Sequence, residues 1–434
     1  MVPARRDHAA SEVPIDEFTT DFGGLRHARP RVVHRMPRAF PSALLATGSP
    51  LALRGTGHSC DGHTVTDGEL LVTHTPGAAA AQLCDLGGGL LEVPGGATWF
   101  EVQRYASRLG SALPVLPDYL HMSVGGTLSV GGVGVDSVRC GMQIDHVERI
   151  QLIDGTGVSR WCSRTDHPEL FRFALAGLGT AGLIERAVLR TVPARHAAHL
   201  HRTQHATLAE LADHTERVAQ RDDVDLYTAN LRRGRIVSTT GWYDRSPREC
   251  ADERCSVLTD LPYQGQASTA RAADLPPGRV RLWADYVVPA GRLAPMLAAV
   301  ETLRHRIPAE RFYTMVYVLI VRRPADATVF PFAAVAPGPV SIGVGVYTWA
   351  KRAGDDVTVV RDLLDRLLDH CCDLGGRPYL YCRNDLDDAL AARLYGSDLD
   401  RLAELRREYR LDHVNAQISL AGAAARRTPP ARPA

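Results

Sequence analysis

The 434-residue sequence contains no long run of basic residues and no long apolar run. Its formal net charge is +1, and nucleic acid is not expected as a partner because phosphate binding requires clustered Lys and Arg. A membrane-spanning helix needs about 20 consecutive apolar residues, so no membrane span is expected. Met1–Glu12 is polar and charged without an apolar segment. The absence of a signal peptide there predicts a cytoplasmic protein.

Cysteine and histidine patterns give no sign of a disulfide framework or a metal site. The nine cysteines are scattered, and none forms a CxxC pair, so free structural thiols are expected. His199, His201 and His205 alternate along a strand-like segment without a Cys or a carboxylate at ligand spacing. Such a pattern is more often a surface strand than a metal site, and no metal is expected.

The chain changes character twice between two ends that are poor in core-forming residues. Residues 1–19 and 421–434 are expected to be disordered, the latter being built only from Ala, Gly, Arg, Thr and Pro. Residues 20–193 are rich in Gly and short β-type runs, whereas 194–376 alternate longer helices with strands. Residues 377–420 form a third piece.

Periodicity supplies the individual elements. Apolar residues at helical spacing predict helices beginning near Trp99, Leu293 and Val360, with Leu109 on the inner face of the first. A polar helix is expected around Leu399–Tyr409. The other expected elements are strands at 280–288, 311–322 and 340–348 and an irregular loop at 248–277.

Arg54–Ser59 (RGTGHS) directly follows a short apolar strand. The backbone N–H groups of such a loop can converge on one anion, as a pyrophosphate requires. The GxGxxG spacing of a Rossmann fold is missing. A glycine-rich turn by itself is more often only a turn, so this segment carries weight only together with others.

The second glycine-rich segment is Val124–Gly134 (VGGTLSVGGVG), which contains neither Pro nor charge. Glycines at this density indicate close approach of the backbone to another group. The two segments together resemble FAD-linked oxidases of the vanillyl-alcohol oxidase type and, within them, cytokinin dehydrogenases. The resemblance extends in order over DFGGL (21–25), RGTGHS (54–59), VPGG (93–96), DYLHMSVGGTLS (118–129), ELF (169–171), GLGTAGLI (177–184), Tyr395-Gly396 and 412–418. Residues of about 200–370 match only loosely.

The resemblance implies an α+β fold. A PCMH-type FAD-binding domain of two α+β subdomains would cover 20–193, and 377–420 would return to it through a helix and a flavin-contacting strand at 412–418. A substrate domain of antiparallel sheet covered by helices would be inserted at 194–376.

The resemblance also implies roles for particular residues. His58 would bond through its ring to the 8α carbon of the flavin; the alternative is a histidine that donates a hydrogen bond to a phosphate. Asp118 would accept a substrate proton while hydride leaves for the flavin, the alternative being a turn residue after Pro117. Some relatives add a second link from a Cys near the position of Ser123, so no second link is expected here. The cofactor-binding residues implied are Arg54, Gly55, Thr56, Gly57, His58, Ser59, His63, Asp118, Ser123, Gly125, Gly126, Thr127, Ser129, Gly132, Gly182, Leu183, Ile184, Asn415 and Gln417.

Three positions depart from the family pattern. His63 stands where Gln is frequent, Arg383 where a Tyr is expected, and the C-terminal turn is shortened to Asn415-Ala416-Gln417. These departures weaken the inference that the substrate is a cytokinin and leave the flavin site largely intact.

The hypothesis is therefore an FAD-dependent oxidoreductase that abstracts hydride from a C–N or C–O carbon of a small molecule. Dioxygen or another acceptor would reoxidise the flavin, and one form of the hypothesis is a tailoring enzyme for a small metabolite. The alternative on the same fold is an oxidase of a sugar, polyol or other alcohol. An alternative of another class is a flavin-fold binding or cyclising scaffold without net redox turnover.

Overall fold

A computed structural model describes residues 15–36, 40–78, 80–243, 255–258, 275, 277–307, 313–352, 356–383 and 386–427. Most of the two ends expected to be disordered, and most of the expected loop at 248–277, lie outside the described residues. None of the described helices combines the length and apolarity that crossing a membrane requires. The location in the cell stays a prediction.

The first half of the chain forms two main sheets. In chain order its elements are β1 (Val32–Arg35), α1 (Pro41–Ala46), β2 (Leu51–Arg54), β3 (Glu69–Val72), β4 (Cys84–Gly87), β5 (Leu90–Pro94), α2 (Trp99–Arg108), β6 (Ser111–Ala112), α3 (Val124–Leu128), α4 (Ser137–Cys140), β7 (Val147–Ile153), β8 (Ser159–Ser163), α5 (Pro168–Ala174), β9 (Leu183–Arg190) and β10 (Val192–Pro193), with 3-10 turns at Ile15–Phe18, Ala80–Gln82 and Gln143–His146. Strands β1-β3-β2 form a parallel sheet, and β4-β5-β9-β7-β8 form an antiparallel one.

The second half is dominated by one large antiparallel sheet. Its elements are β11 (Ala198–His205), α6 (Leu208–Ala219), β12 (Leu226–Arg232), β13 (Arg235–Tyr243), β14 (Cys255–Leu258), β15 (Arg279–Pro289), α7 (Leu293–Arg306), β16 (Tyr313–Arg322), β17 (Val340–Lys351), α8 (Asp356–Asp373), β18 (Arg377–Pro378), α9 (Asp388–Glu408) and α10 (Ser419–Arg427). The strand order is β14-β11-β13-β12-β16-β17-β15-β18. The α+β fold class is confirmed.

Two hydrophobic cores organise these elements. One joins residues between Leu91 and Leu189 to residues between Leu380 and Ala424. The other lies between the large sheet and α6, α7 and α8. The apolar stripes of α7 and α8 are buried as the periodicity predicted. The return of the C-terminal segment thus reflects its apolar side chains, which complete the first core. The domain boundaries themselves stay predictions.

The C-terminal segment confirms one expectation and corrects another. Helix α9 is kinked at Gly396 (φ 44°, ψ −121°), and the part after this kink is the helix expected around Leu399–Tyr409. The part before it begins at Asp388, where Asp387 accepts a hydrogen bond from Leu390 N. The expected strand at 412–418 is a turn with a single bridge from Val414 to Leu51. Asn415 adopts φ 49°, a left-handed conformation that interrupts a strand.

Disorder was also wrongly expected for residues 421–427. They continue helix α10, in which Ala421, Ala423 and Ala424 are buried against the first core. Small alanine side chains allow close packing of α10 on α9. At the other end, residues 15–18 form a turn whose Phe18 is buried, so order begins before residue 20.

Three further details differ from the sequence-based expectations. Leu109 lies at the C-cap of α2 and is 43% exposed, because the helix ends one residue before it. His199 and His205 are buried on β11, which is covered by α6 and by its neighbouring strands. Cys255 is disulfide-bonded, whereas Cys60, Cys84, Cys140, Cys162, Cys371, Cys372 and Cys382 carry free thiols.

Candidate functional site

The loop after β2 presents backbone donors to a cavity. Among the described residues, the N–H groups of Gly55–Ser59 have no hydrogen-bond partner within the protein. A Cβ at Gly55 would lie 2.0 Å from Ser123 Oγ, and Gly57 has φ 77° and would bring a Cβ to 2.4 Å from Arg54 Nη2. Glycine is therefore required at both positions, and the loop can offer its N–H groups to an anion.

The second glycine-rich segment forms the short helix α3 and the turn that follows it. Gly125 N donates to Gly95 O over 2.8 Å, and a Cβ at Gly134 would meet Leu116 O at 1.9 Å. Gly132 has φ 68°, and its N–H donates to Tyr379 Oη. Some of these glycines therefore allow close contact with other backbone segments of the protein itself. These contacts hold the segment in place beside the cavity.

Both segments line a cavity of about 710 Å³, within the size range of about 300–1,000 Å³ of small-molecule and cofactor sites. Every residue expected to bind the cofactor lines it except Gln417. Those that do are Arg54, Gly55, Thr56, Gly57, His58, Ser59, His63, Asp118, Ser123, Gly125, Gly126, Thr127, Ser129, Gly132, Gly182, Leu183, Ile184 and Asn415.

Gln417 lies outside this cavity, in a separate open depression. Its side-chain amide donates to the carbonyl oxygen of His63 over 2.9 Å. Gln417 therefore reaches the cavity only through the backbone of His63, because the turn at Asn415 directs the next residues away from it.

Asn415 lines the cavity, but its side chain is fully engaged by the protein. Its Oδ1 accepts from Leu53 N, and its Nδ2 donates to the carbonyl oxygens of Leu178 and Gly179. Only 2% of the residue is exposed. Its amide thus ties the strand before the glycine loop to the loop at 178–179, which shapes the cavity.

His58 lies between two aromatic rings, with ring centroids 5.0 Å from Phe22 and 4.8 Å from Tyr119. Its Nδ1 is 3.1 Å from Thr56 Oγ1. Burial, together with the nearby positive charges of Arg54 and Arg281, lowers the pKa of His58 to about 4. The ring is neutral near pH 7 and carries one unprotonated nitrogen, as a nucleophilic or hydrogen-bonding role requires.

Asp118 follows Pro117 in the loop between β6 and α3. Its side chain is accessible because it faces the cavity, and in the described part of the chain it has no hydrogen-bond or ion-pair partner. The protein around it shields the carboxyl group from part of the solvent, which raises the pKa of Asp118. An unpaired carboxylate facing a cavity has the chemistry of a proton acceptor.

His63 and Arg54 provide further groups for a charged, polar ligand. His63 is 5% exposed, and neither of its ring nitrogens has a partner among the described residues. Burial lowers the pKa of His63 to about 4, so its ring is neutral. Burial also lowers the pKa of Arg54, whose Nη1 donates to Thr64. An orphaned ring, unpaired N–H groups and one guanidinium fit a ligand with a pyrophosphate and polar linkers, as FAD has.

An aromatic wall completes the cavity, and sequence reasoning missed it. Its members lie on three neighbouring strands and the turn after β18: Trp283, Tyr317, Tyr347, Trp349, Tyr379 and Tyr381. Trp283 stacks on Tyr347 with ring centroids 4.2 Å apart. Side chains two positions apart on a strand lie on the same face of the sheet, so the sequence could indicate which residues of β15–β17 share a face. It could not indicate which of the two faces lines the cavity.

Comparisons with known proteins point to the same ligand, FAD. Residues 42–163 match a family described as FAD binding domain, so the chain contains such a domain, of the PCMH type. The chain is 34% identical over 220 residues to cytokinin dehydrogenase 5 of Oryza sativa subsp. japonica. The aligned segment covers 47% of this chain and 41% of that protein.

Two other relatives extend the comparison. An uncharacterized oxidoreductase, ORF5 in the fasciation locus of Rhodococcoides fascians, is 34% identical over 203 residues, 45% of each chain. Cytokinin dehydrogenase 4 of Arabidopsis thaliana is 38% identical over 141 residues, which cover 32% of this chain and 27% of that protein. The matched segments span less than half the length of each of these relatives.

Proposed function

We propose that this protein is an FAD-dependent oxidoreductase that removes hydride from a C–N or C–O carbon of a small molecule. The observation that carries the proposal is the cavity that unites the glycine loop, His58 and Asp118 in a chain with an FAD-binding domain. Bound FAD would supply the two-electron acceptor for the hydride, and dioxygen or another acceptor would reoxidise it.

The chain's own residues would hold and orient this cofactor. The N–H groups of Gly55–Ser59 and the guanidinium of Arg54 would bind the pyrophosphate, and His63 would contact a polar part of the cofactor. The neutral ring of His58 would form the covalent bond to the flavin. The alternative remains a hydrogen bond from His58 to a phosphate.

Asp118 would accept a proton from the substrate nitrogen or oxygen. Its raised pKa and its lack of a partner support this role, because a base that is already paired with a cation binds a proton less well. The aromatic wall would exclude water from the reacting carbon. A cytokinin-like amine is the first substrate candidate, since the relatives over the matched segments include cytokinin dehydrogenases.

Oxidation of a sugar, a polyol or another alcohol is the second candidate. It is favoured by Thr228, Asn230 and Arg232, which line the cavity from one face of β12. The departure at Arg383 weakens the cytokinin hypothesis, since this residue is 7% exposed and paired with Asp365 rather than facing the cavity. A scaffold without turnover is the candidate of another class.

An anaerobic screen of amines, alcohols and sugars separates these functions. Oxidised flavin absorbs visible light, so hydride transfer from a substrate bleaches it when no acceptor is present. Bleaching by amines alone favours the first candidate, and bleaching by sugars or polyols favours the second. If none of the compounds bleaches the flavin while some of them bind, the scaffold hypothesis is favoured over the enzyme.

A further inference from the structure

The aromatic wall has a buried carboxylate behind it. Asp285 on β15 is 3% exposed and does not line the cavity, whereas Tyr317, Tyr347 and Tyr381 in front of it do. Tyr317 Oη donates to Asp285 Oδ1 over 2.6 Å, and Tyr347 Oη lies 3.5 Å from Oδ2. Tyr347 and Tyr381 share a hydrogen bond between their hydroxyl groups. The role proposed above for Asp118 uses none of these four residues.

A glycine leaves the space for this network. Gly345 on β17 pairs with Asp285 in the sheet, and a Cβ there would lie 1.9 Å from Tyr317 Cε1 and 2.4 Å from Asp285 Oδ1. At Gly343 in the same strand there is room for a side chain, because the nearest atom to an added Cβ would be Leu319 O, at 3.9 Å. The contact between Tyr317 and Asp285 therefore depends on the absence of a side chain at position 345 in particular.

Among the described residues, no cation forms an ion pair with this carboxylate, whose hydrogen bonds are to hydroxyl and thiol groups. Burial raises the pKa of Asp285, while hydrogen bonds from Tyr317, Tyr381, Cys382 and Tyr347 lower it. Burial also raises the pKa of the tyrosines well above its usual value. Asp285 is therefore the group of this cluster that ionises first, before any of the tyrosines.

The hydroxyl protons are limited in number. A tyrosine hydroxyl has one proton to donate and two lone pairs, and an ionised carboxylate only accepts. When Asp285 is ionised, Tyr317 donates to it, and Tyr347 and Tyr381 use their two protons for the hydrogen bond between them and for a bond to the same carboxylate. In that state the tyrosine oxygens present lone pairs, and no proton, to the cavity.

We propose that Asp285 in its ionised form, together with Tyr317, Tyr347 and Tyr381, makes an acceptor-only subsite that selects ligands with a hydroxyl or ammonium group and disfavours carboxylates. The inference rests on the proposed function for the identity of the cavity as the substrate site. An ammonium group gains most, because the negative charge of Asp285 and the lone pairs of the tyrosine oxygens both attract a cation. A carboxylate would face lone pairs and a buried negative charge without a donor.

Three probes with one ring and different end groups test this subsite: benzylamine, benzyl alcohol and benzoate. Their dissociation constants are measured on the oxidised, flavin-loaded protein by the perturbation of flavin absorbance and tryptophan fluorescence. Wild-type protein should bind the amine and the alcohol at least about tenfold more tightly than benzoate. Equal or tighter binding of benzoate would overturn the proposal even if no variant could be made.

Asp285→Asn is the decisive variant, because an amide can donate to the tyrosine oxygens and release a hydroxyl proton toward the cavity. It should weaken benzylamine binding by about tenfold and tighten benzoate binding. Equal changes for all three probes, or an unchanged preference, would overturn the proposal and assign the preference to Asp118. Tyr381→Phe, which removes one acceptor and leaves Asp285 in place, should weaken the amine and the alcohol but not benzoate.

Two glycine substitutions give a matched control. Gly345→Ala should abolish the preference by displacing Tyr317 from Asp285, whereas Gly343→Ala should keep it. The same loss in both variants would contradict the proposed network. These measurements do not require flavin reduction, so a protein that oxidises none of the screened compounds could still show the binding preference. A protein that oxidises amines without the preference would leave the proposed function standing and remove this inference.

Discussion

The side-chain oxygen of Asn415 accepts a hydrogen bond from Leu53 N over 2.8 Å, although 362 positions separate the two residues. The same amide donates to Leu178 and Gly179. One buried side chain thus holds together the strand before the glycine loop, the loop at 178–179 and the C-terminal segment.

Replacement of Asn415 tests this junction. Asn415→Ala should lower the free energy of unfolding by about 2–4 kcal/mol, because it removes three hydrogen bonds and leaves buried backbone groups unpaired. Gln417→Ala, which removes one hydrogen bond to His63 O, should cost about 1 kcal/mol. Denaturant unfolding of the two variants gives the comparison. Equal losses would show that the junction does not depend on Asn415.

The covalent bond to the flavin is tested by denaturation. Wild-type protein precipitated with acid should keep its yellow colour, and His58→Ala should release the flavin to the supernatant while still binding it under native conditions. His121→Ala is the matched control, since His121 also packs against Tyr119 but does not line the cavity. Complete release from wild-type protein would exclude the bond and leave FAD binding open.

Asp118→Asn keeps the shape of the side chain and removes the base. The rate of flavin reduction in a single turnover should fall by about 10²–10⁴-fold, with FAD still bound. Asp136→Asn is the control, because burial also raises the pKa of Asp136, to about 6, at a position that does not line the cavity. It should change the melting temperature more than the rate. Near-normal reduction by the Asp118 variant would remove the catalytic assignment.

The glycine loop allows a suppressor experiment. Gly55→Ala should weaken flavin retention, because the new Cβ would meet Ser123 Oγ at 2.0 Å. Adding Ser123→Ala removes that oxygen and leaves Ser123 Cβ at 3.1 Å, so the double variant should recover part of the retention. Flavin content after gel filtration measures both. Absence of recovery would indicate that the loop fails for a reason other than this contact.

The buried ring of His63 predicts a pH dependence of stability in the flavin-free protein. Its pKa falls from 6.5 to about 4 on folding, so the unfolded chain binds a proton between these values and the folded protein does not. Stability should therefore fall as the pH decreases from 6.5 to about 4, with a contribution from His63 of at most about 3 kcal/mol.

His63→Gln removes this proton and should flatten that part of the pH profile. His305→Gln, at a ring that is 77% exposed, should leave the profile unchanged. Urea unfolding of the three flavin-free proteins between pH 4 and 7 is the measurement. A profile for His63→Gln that is as steep as that of wild type would show that the ring is protonated in the folded state.

Local patterns in the sequence identified much of this protein because they act through neighbouring residues. The stripes of α7 and α8 predicted buried helices, since residues three and four positions apart share one face whatever the rest of the chain does. Arg54–Ser59 indicated an anion-binding loop, because glycine geometry is set within the loop itself.

Only the tertiary structure decided what faces the cavity. Tyr317, Tyr347 and Asp285 belong to three strands and meet through the order and register of the sheet, which a two-residue alternation does not specify. The positions of Asn415 and Gln417 depend on one left-handed residue, and the order of residues 421–427 depends on the core that α9 offers them. The sequence by itself determined the glycine loop and helices such as α7 and α8, whose physics is local. The aromatic wall was decided by long-range packing, because its residues come together only through the order and register of the sheet.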